Sequence, residues 1–186
     1  SSLVINFLLS AFSVGFSFIL IELLKISSDH FGVIESFNAI GMLVISLYFS
    51  VRKELKYPLL TAKYAVLVLA ILMSAVGIPL FIQMPYIWMV IYYSSIMMGF
   101  GITMMVTNTP IGVMMQKSID DEYKGRVLSV FETMVISLIP LGTILFGILF
   151  DIFPAQWILL VSSILIVVFI FAAVRPSILY MAHPEL

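Results

Sequence analysis

The chain has 186 residues, 62% of them hydrophobic and only 10% charged, against about 45–50% and about 25% in a soluble domain. That excess of apolar residues excludes a water-soluble globule and a disordered tail. Nine Lys+Arg against ten Asp+Glu exclude a basic nucleic-acid binder, and the absence of cysteine removes disulfides and thiolate chemistry.

Long stretches without charge predict six transmembrane helices, at residues 3–24, 32–51, 64–82, 86–107, 127–150 and 156–174. Barrel strands would be half as long and would alternate apolar with polar residues. The first segment has no basic leader and no small-residue cleavage site, so it reads as a span rather than a signal peptide. The fold class predicted is therefore all-α and polytopic.

The first span carries Asn6, Ser10, Ser13 and Ser17 on one helical stripe, and Glu22 with Lys25 reads as an ion pair at its far end. The second carries Glu35, Asn38, Ser46 and Ser50; Glu35 and Asn38 lie one turn apart, placed to meet a polar or cationic substrate. The third has only Ser74 with the bend-forming Gly77 and Pro79. The fourth presents Ser95, Gly99, Thr103 and Thr107 at a spacing of four, a ridge that admits a neighbouring backbone. The fifth has Ser129, Glu132, Thr133 and Ser137, then Pro140, Gly142 and Gly147, while the sixth has only Ser162 and Ser163.

Glu132 lies six residues beyond Arg126, about 9 Å into its span, where desolvation suits a proton-coupling acid. Its alternative is a hydrated vestibule. Met97, Met98, Met104 and Met105 could line an adaptable cavity, and Tyr86 and Trp88 form an interfacial belt. The order polar, polar, apolar then repeats. Three spans per unit is an odd number, so the second unit must be inverted relative to the first. Spans three and six are accordingly expected to face lipid, with one, two, four and five around a substrate path.

Arg52, Lys53, Lys56, Lys63, Lys117, Lys124, Arg126 and Arg175 fall on one side of the membrane and Lys25 alone on the other. That asymmetry predicts two cytoplasmic termini in a cell membrane. His30 and His183 lie on opposite sides, and no phosphate-binding glycine loop is present, so neither a metal or other cofactor nor an enzyme activity is expected.

The stretch NTPIGVMMQKSIDDEYKGRVLSVFETM, Asn108 to Met134, and the following IPLGTILFGILFD resemble the tenth-to-eleventh-helix region of major facilitator superfamily transporters. The likeness is to the drug- and siderophore-exporter branch, which includes macrolide efflux proteins and the enterobactin exporter. The segment DHFGVIESFNAIGMLVISL from Asp29 resembles that family's eighth helix. The resemblance implies the carboxy-terminal six-helix half of a twelve-helix fold, exporting small amphipathic molecules by alternating access on an ion gradient. Its partner would be an amino-terminal six-helix half. It also implies a gate at Gly125, Arg126, Asp120, Asp121 and Glu122, beside the simpler reading of those acids as favourable charges at a helix start. Glu132, Glu35, Asn38, Asn6, Ser10 and Thr103 are the substrate or coupling candidates. A six-span homodimeric carrier or channel, and a non-transporting scaffold or sensor, are the alternatives.

Overall fold

A computed structural model describes residues 2–51 and 57–174. The bases Arg52, Lys53, Lys56 and Arg175, with His183, lie outside the described residues. Helix α1 (Ser2–Ser17) continues into a wider π-helical turn over Phe18–Leu23. There the Leu24 N–H donates to the Ile19 carbonyl (2.9 Å) and the Ile26 N–H to Leu20 (2.8 Å). Lys25, with φ 55°, turns the chain out of the helix. Its ammonium stands 3.7 Å from the Glu22 carboxylate on an exposed surface, the ion pair that the sequence predicts.

Helix α2 (Ser28–Val51) follows. α3 (Pro58–Ala75) begins on a proline, whose missing N–H costs nothing in a first turn. α3 stops where Gly77 and Pro79 lie ahead, and a short 3-10 turn, Ile78–Leu80, completes the segment. α4 (Tyr86–Ser118), α5 (Asp121–Ile152) and α6 (Ala155–Ala173) complete the chain. Among the described residues there is no strand, and six helices are long and apolar enough to cross a membrane.

Several helix boundaries differ from the sequence reading. The loop expected after residue 107 is helical except at Ile119 and Asp120. α4 has 33 residues and α5 has 32, lengths of about 50 Å that exceed the about 30 Å of a bilayer core. Hydropathy marks where a helix leaves an apolar medium, and a polar turn can remain helical beyond that point. Pro110 therefore lies inside α4, removing one ladder bond without ending the helix. Likewise Lys63 lies within α3.

The principal pairings are α2 with α4, α3 with α4, α1 with α5, α3 with α6 and α1 with α6. Exchanging α1 with α4, α2 with α5 and α3 with α6 leaves this set unchanged. Small residues permit the tightest crossings. A Cβ on Gly142 of α5 would strike the Ser10 hydroxyl of α1, and one on Gly15 would strike the Phe150 ring. On the other side, Gly101 of α4 abuts the Asn38 carbonyl of α2 and Gly41 abuts the Met98 carbonyl. The small-residue ridge expected on α4 is thus not where the backbones meet. Gly99 stands in ordinary contact, 3.5 Å, with the Leu72 side chain of α3.

The core is built mainly from α1, α3, α4 and α6. α2 buries only Ile34 and Gly41, and α5 buries the single ridge Gly142, Phe146 and Phe150. α3 and α6, the two helices expected to face lipid, pack against each other and against α4 and α1 on one side and leave rows of exposed apolar side chains on the other, Val68 and Ile71 on α3 and Trp157, Val161, Ile164 and Val168 on α6. The polar helices α2 and α5 form the outer flanks.

Candidate functional site

The α1–α4 contact sets the floor of the site. Phe12 stacks on Phe100 at 3.9 Å between ring centroids, and Phe16 meets Phe12 at 5.4 Å and the edge of Tyr93 at 5.8 Å. This aromatic column fills the space between the two helices, and the flanks α2 and α5 stand on either side of it. The result is a concave face with a cavity of about 330 Å³. Every residue lining it comes from α1, α2, α4 or α5, the four helices expected around a substrate path. Glu35 and Asn38 of α2 face Ser10, Ser13 and Ser17 of α1 across it.

A second cavity, about 570 Å³, lies toward the end of the bundle where α3 and α5 start and α4 and α6 finish. Glu132 of α5, Lys63 of α3, Asn108 of α4 and Asn6 of α1 supply its polar groups besides the Thr107 hydroxyl, which donates to the Thr103 carbonyl (2.9 Å). Glu132 stands eleven residues from the start of α5, about 16 Å along the helix axis, because the helix begins six residues before the predicted span, and its side chain is exposed. Asn6, Leu9 and Met104 line both cavities, so the two spaces meet at that level.

The structure therefore brings Glu35, Asn38, Ser10 and Asn6 to one cavity and Asn6 and Glu132 to the other. Thr103 reaches neither; it is buried, and its hydroxyl donates to the Gly99 carbonyl at 2.6 Å. A hydroxyl closing on its own preceding turn satisfies itself and offers little to a ligand. Ser10 also bonds locally, to the Phe7 carbonyl (2.6 Å), while marking the Gly142 crossing.

The gate candidates form a separate group. Asp120 is the N-cap of α5, but its side chain makes no capping bond; its carbonyl accepts from the Tyr123 and Lys124 N–H groups, both at 3.0 Å. Glu122, Gly125 and Arg126 are exposed on the first turns of α5. Among the described residues neither Arg126 nor Glu122 forms an ion pair, and none of this group lines either cavity. The Asp121 side chain lies outside the described part of the structure.

Two site features escape sequence reasoning. Lys63 and Asn108 fall one residue beyond the predicted spans and read as loop, although the Pro58 helix start and the unbroken apolar pattern around Lys63 were signals. The other is a clip at the opposite end of the bundle. The Tyr86 hydroxyl lies 2.8 Å from His30 Nδ1 and accepts from the Ser27 N–H at 3.2 Å; Ser27 Oγ also lies 2.8 Å from His30 Nδ1. It ties the start of α2 to the start of α4.

Comparison of the chain with protein-family models, with curated proteins and with solved structures gives no match.

Proposed function

We propose that this chain is one six-helix half of a secondary active transporter that moves small amphipathic molecules across a cell membrane by alternating access. The observation that carries the reading is the meeting of the two cavities at Asn6, Leu9 and Met104. A polar track then runs from Glu35 and Asn38, past Asn6, to Glu132. Polar groups within a membrane-spanning helix are costly against lipid and mark pathways for polar cargo.

The set of helix pairings, unchanged on exchanging the first three helices for the last three, supports two inverted three-helix repeats, the architecture of many secondary transporters. The concave face needs a second helical body to close it, an amino-terminal half or a second copy of the chain. Among the described residues Lys63, Lys117, Lys124 and Arg126 gather at one end and Lys25 stands at the other, which supports placing the basic end, with both termini, in the cytoplasm. Export, and coupling to an ion gradient, rest on the resemblance of residues 108–134 to an exporter family.

The test is efflux of lipophilic dyes and antibiotics from cells expressing the gene that encodes this segment. Asn6→Leu should cut efflux about tenfold or more at unchanged membrane level. Thr103→Val should not, because that hydroxyl is already taken by the Gly99 carbonyl. Full efflux with Asn6→Leu would refute the track. Efflux by the segment alone would make a homodimer the working unit.

A further inference from the structure

The larger cavity holds two opposite charges that do not neutralise each other. Lys63 is half-buried; its ammonium donates to the Val174 carbonyl at 3.2 Å and lies 4.8 Å from the centre of the Phe171 ring. Both contacts are with the end of α6, and both are favourable for a cation. Neither supplies a full negative charge, and an ammonium has three protons to donate. Glu132, on α5, makes no ion pair or hydrogen bond among the described residues. The remaining polar groups are the Asn6 and Asn108 amides and the self-bonded Thr107 hydroxyl. Ile5, Leu9, Met104, Ile111 and Val135 are among the apolar residues of the wall.

From this arrangement we infer that the larger cavity binds a zwitterionic amphiphile. Its anionic group, a carboxylate or phosphate, meets Lys63; its ammonium meets Glu132; its apolar body lies along the α1, α4 and α5 side chains. An anion alone would leave the Glu132 charge opposing it, and a cation alone would leave Lys63 uncompensated, whereas a molecule with both satisfies both walls. The cavity volume of about 570 Å³ falls within the range of about 300–1,000 Å³ usual for small-molecule sites. Five helices of this chain, α1, α3, α4, α5 and α6, supply the lining. That the ligand is also the transported cargo rests on the transport reading; its binding does not, and equilibrium binding separates the two.

The test uses the full chain in non-ionic maltoside micelles and four twelve-carbon probes. Dodecyl phosphate carries only the anion and dodecylamine only the cation. Lysophosphatidylethanolamine and Nε-lauroyl-lysine carry both, the first as a lipid headgroup and the second as a free amino acid. At least one zwitterion should bind more tightly than either single-charge probe, and which one binds identifies the source. Lys63→Gln should weaken dodecyl phosphate and the zwitterion about tenfold while sparing dodecylamine, and Lys63→Arg should restore the loss. Glu132→Gln should weaken dodecylamine and the zwitterion while sparing dodecyl phosphate. Equal binding of all probes, or variants that lose all of them together, would overturn the inference.

Discussion

The end of α3 is held by two tyrosines from α4, and the arrangement makes a quantitative prediction. The Ala75 carbonyl would normally accept the N–H of residue 79, but that residue is Pro79 and has none. The Val76 carbonyl would accept from Leu80, whose N–H goes instead to Gly77 at 3.1 Å in the 3-10 turn. Tyr92 donates its hydroxyl to Ala75 at 2.7 Å, and Tyr93 donates to Val76 at 2.9 Å. Tyr93 is fully buried and Tyr92 partly so. Tyr93→Phe leaves a buried carbonyl unpartnered, at about 1–3 kcal/mol by soluble-protein experience. Hydrogen bonds measured within membranes average about 0.6 and reach about 1.7 kcal/mol. A loss near 1 kcal/mol, seen as a fall of about 2–4 °C in Tm for a chain of this size, is therefore expected in lipid nanodiscs. Tyr92→Phe should cost less, since water can partly replace its hydroxyl. In a Pro79→Ala background, the new N–H can reach the Ala75 carbonyl, so the cost of Tyr92→Phe should shrink while that of Tyr93→Phe persists. Equal costs of Tyr92→Phe in both backgrounds, or an unchanged Tm in Tyr93→Phe, would refute the accounting.

Gly142→Val should destabilise the chain by about 1–3 kcal/mol, as overpacking does, because its side chain would occupy the space of the Ser10 hydroxyl. Gly147→Val, where a Cβ meets nothing within 4 Å, is the matched control and should change Tm far less; equal effects would refute the crossing. Tyr86→Phe removes the acceptor of the Ser27 N–H and a partner of His30. Amide hydrogen exchange across residues 24–31 should accelerate severalfold, with little change in Tm because the clip is solvent-exposed; unchanged exchange would mean that the clip does not hold the two helix starts.

How far the sequence could be read depended on which physical quantity each feature reports. The spans were legible because charge is excluded from an apolar slab. The four helices lining the smaller cavity were legible because polar groups avoid lipid, whereas the share of α3 and α6 in the larger one was not. The long ends of α4 and α5 were not, since leaving the membrane removes the demand for apolar residues without removing the helix. The same holds at the start of α3, so Asn108 and Lys63, one residue past the predicted edges, read as loop in the sequence although they line a cavity. Nor could the sequence say that α2 and α5 would be the least buried helices. Polarity on a membrane helix shows that one face avoids lipid; it does not show whether packed side chains or an open space lies opposite.

The polar stripes themselves divide into two kinds. Ser50 donates to Ser46, Thr133 to Ser129, Ser137 to Thr133 and Thr143 to Ile139, each to the carbonyl four residues back. A spacing of four between hydroxyls is therefore partly a record of side chains closing on their own helix, which makes them cheap in a membrane and weak as evidence for a ligand. Carboxylates accept and cannot donate, so Glu35 and Glu132 have no such local remedy. They fall on α2 and α5, the two helices that the pairing pattern exchanges, and each opens onto a different one of the two joined cavities. An acid on each flank that forms no ion pair among the described residues is the feature that needs a reason outside packing. A cation, or the positive end of a zwitterion, passing between the cavities would supply one.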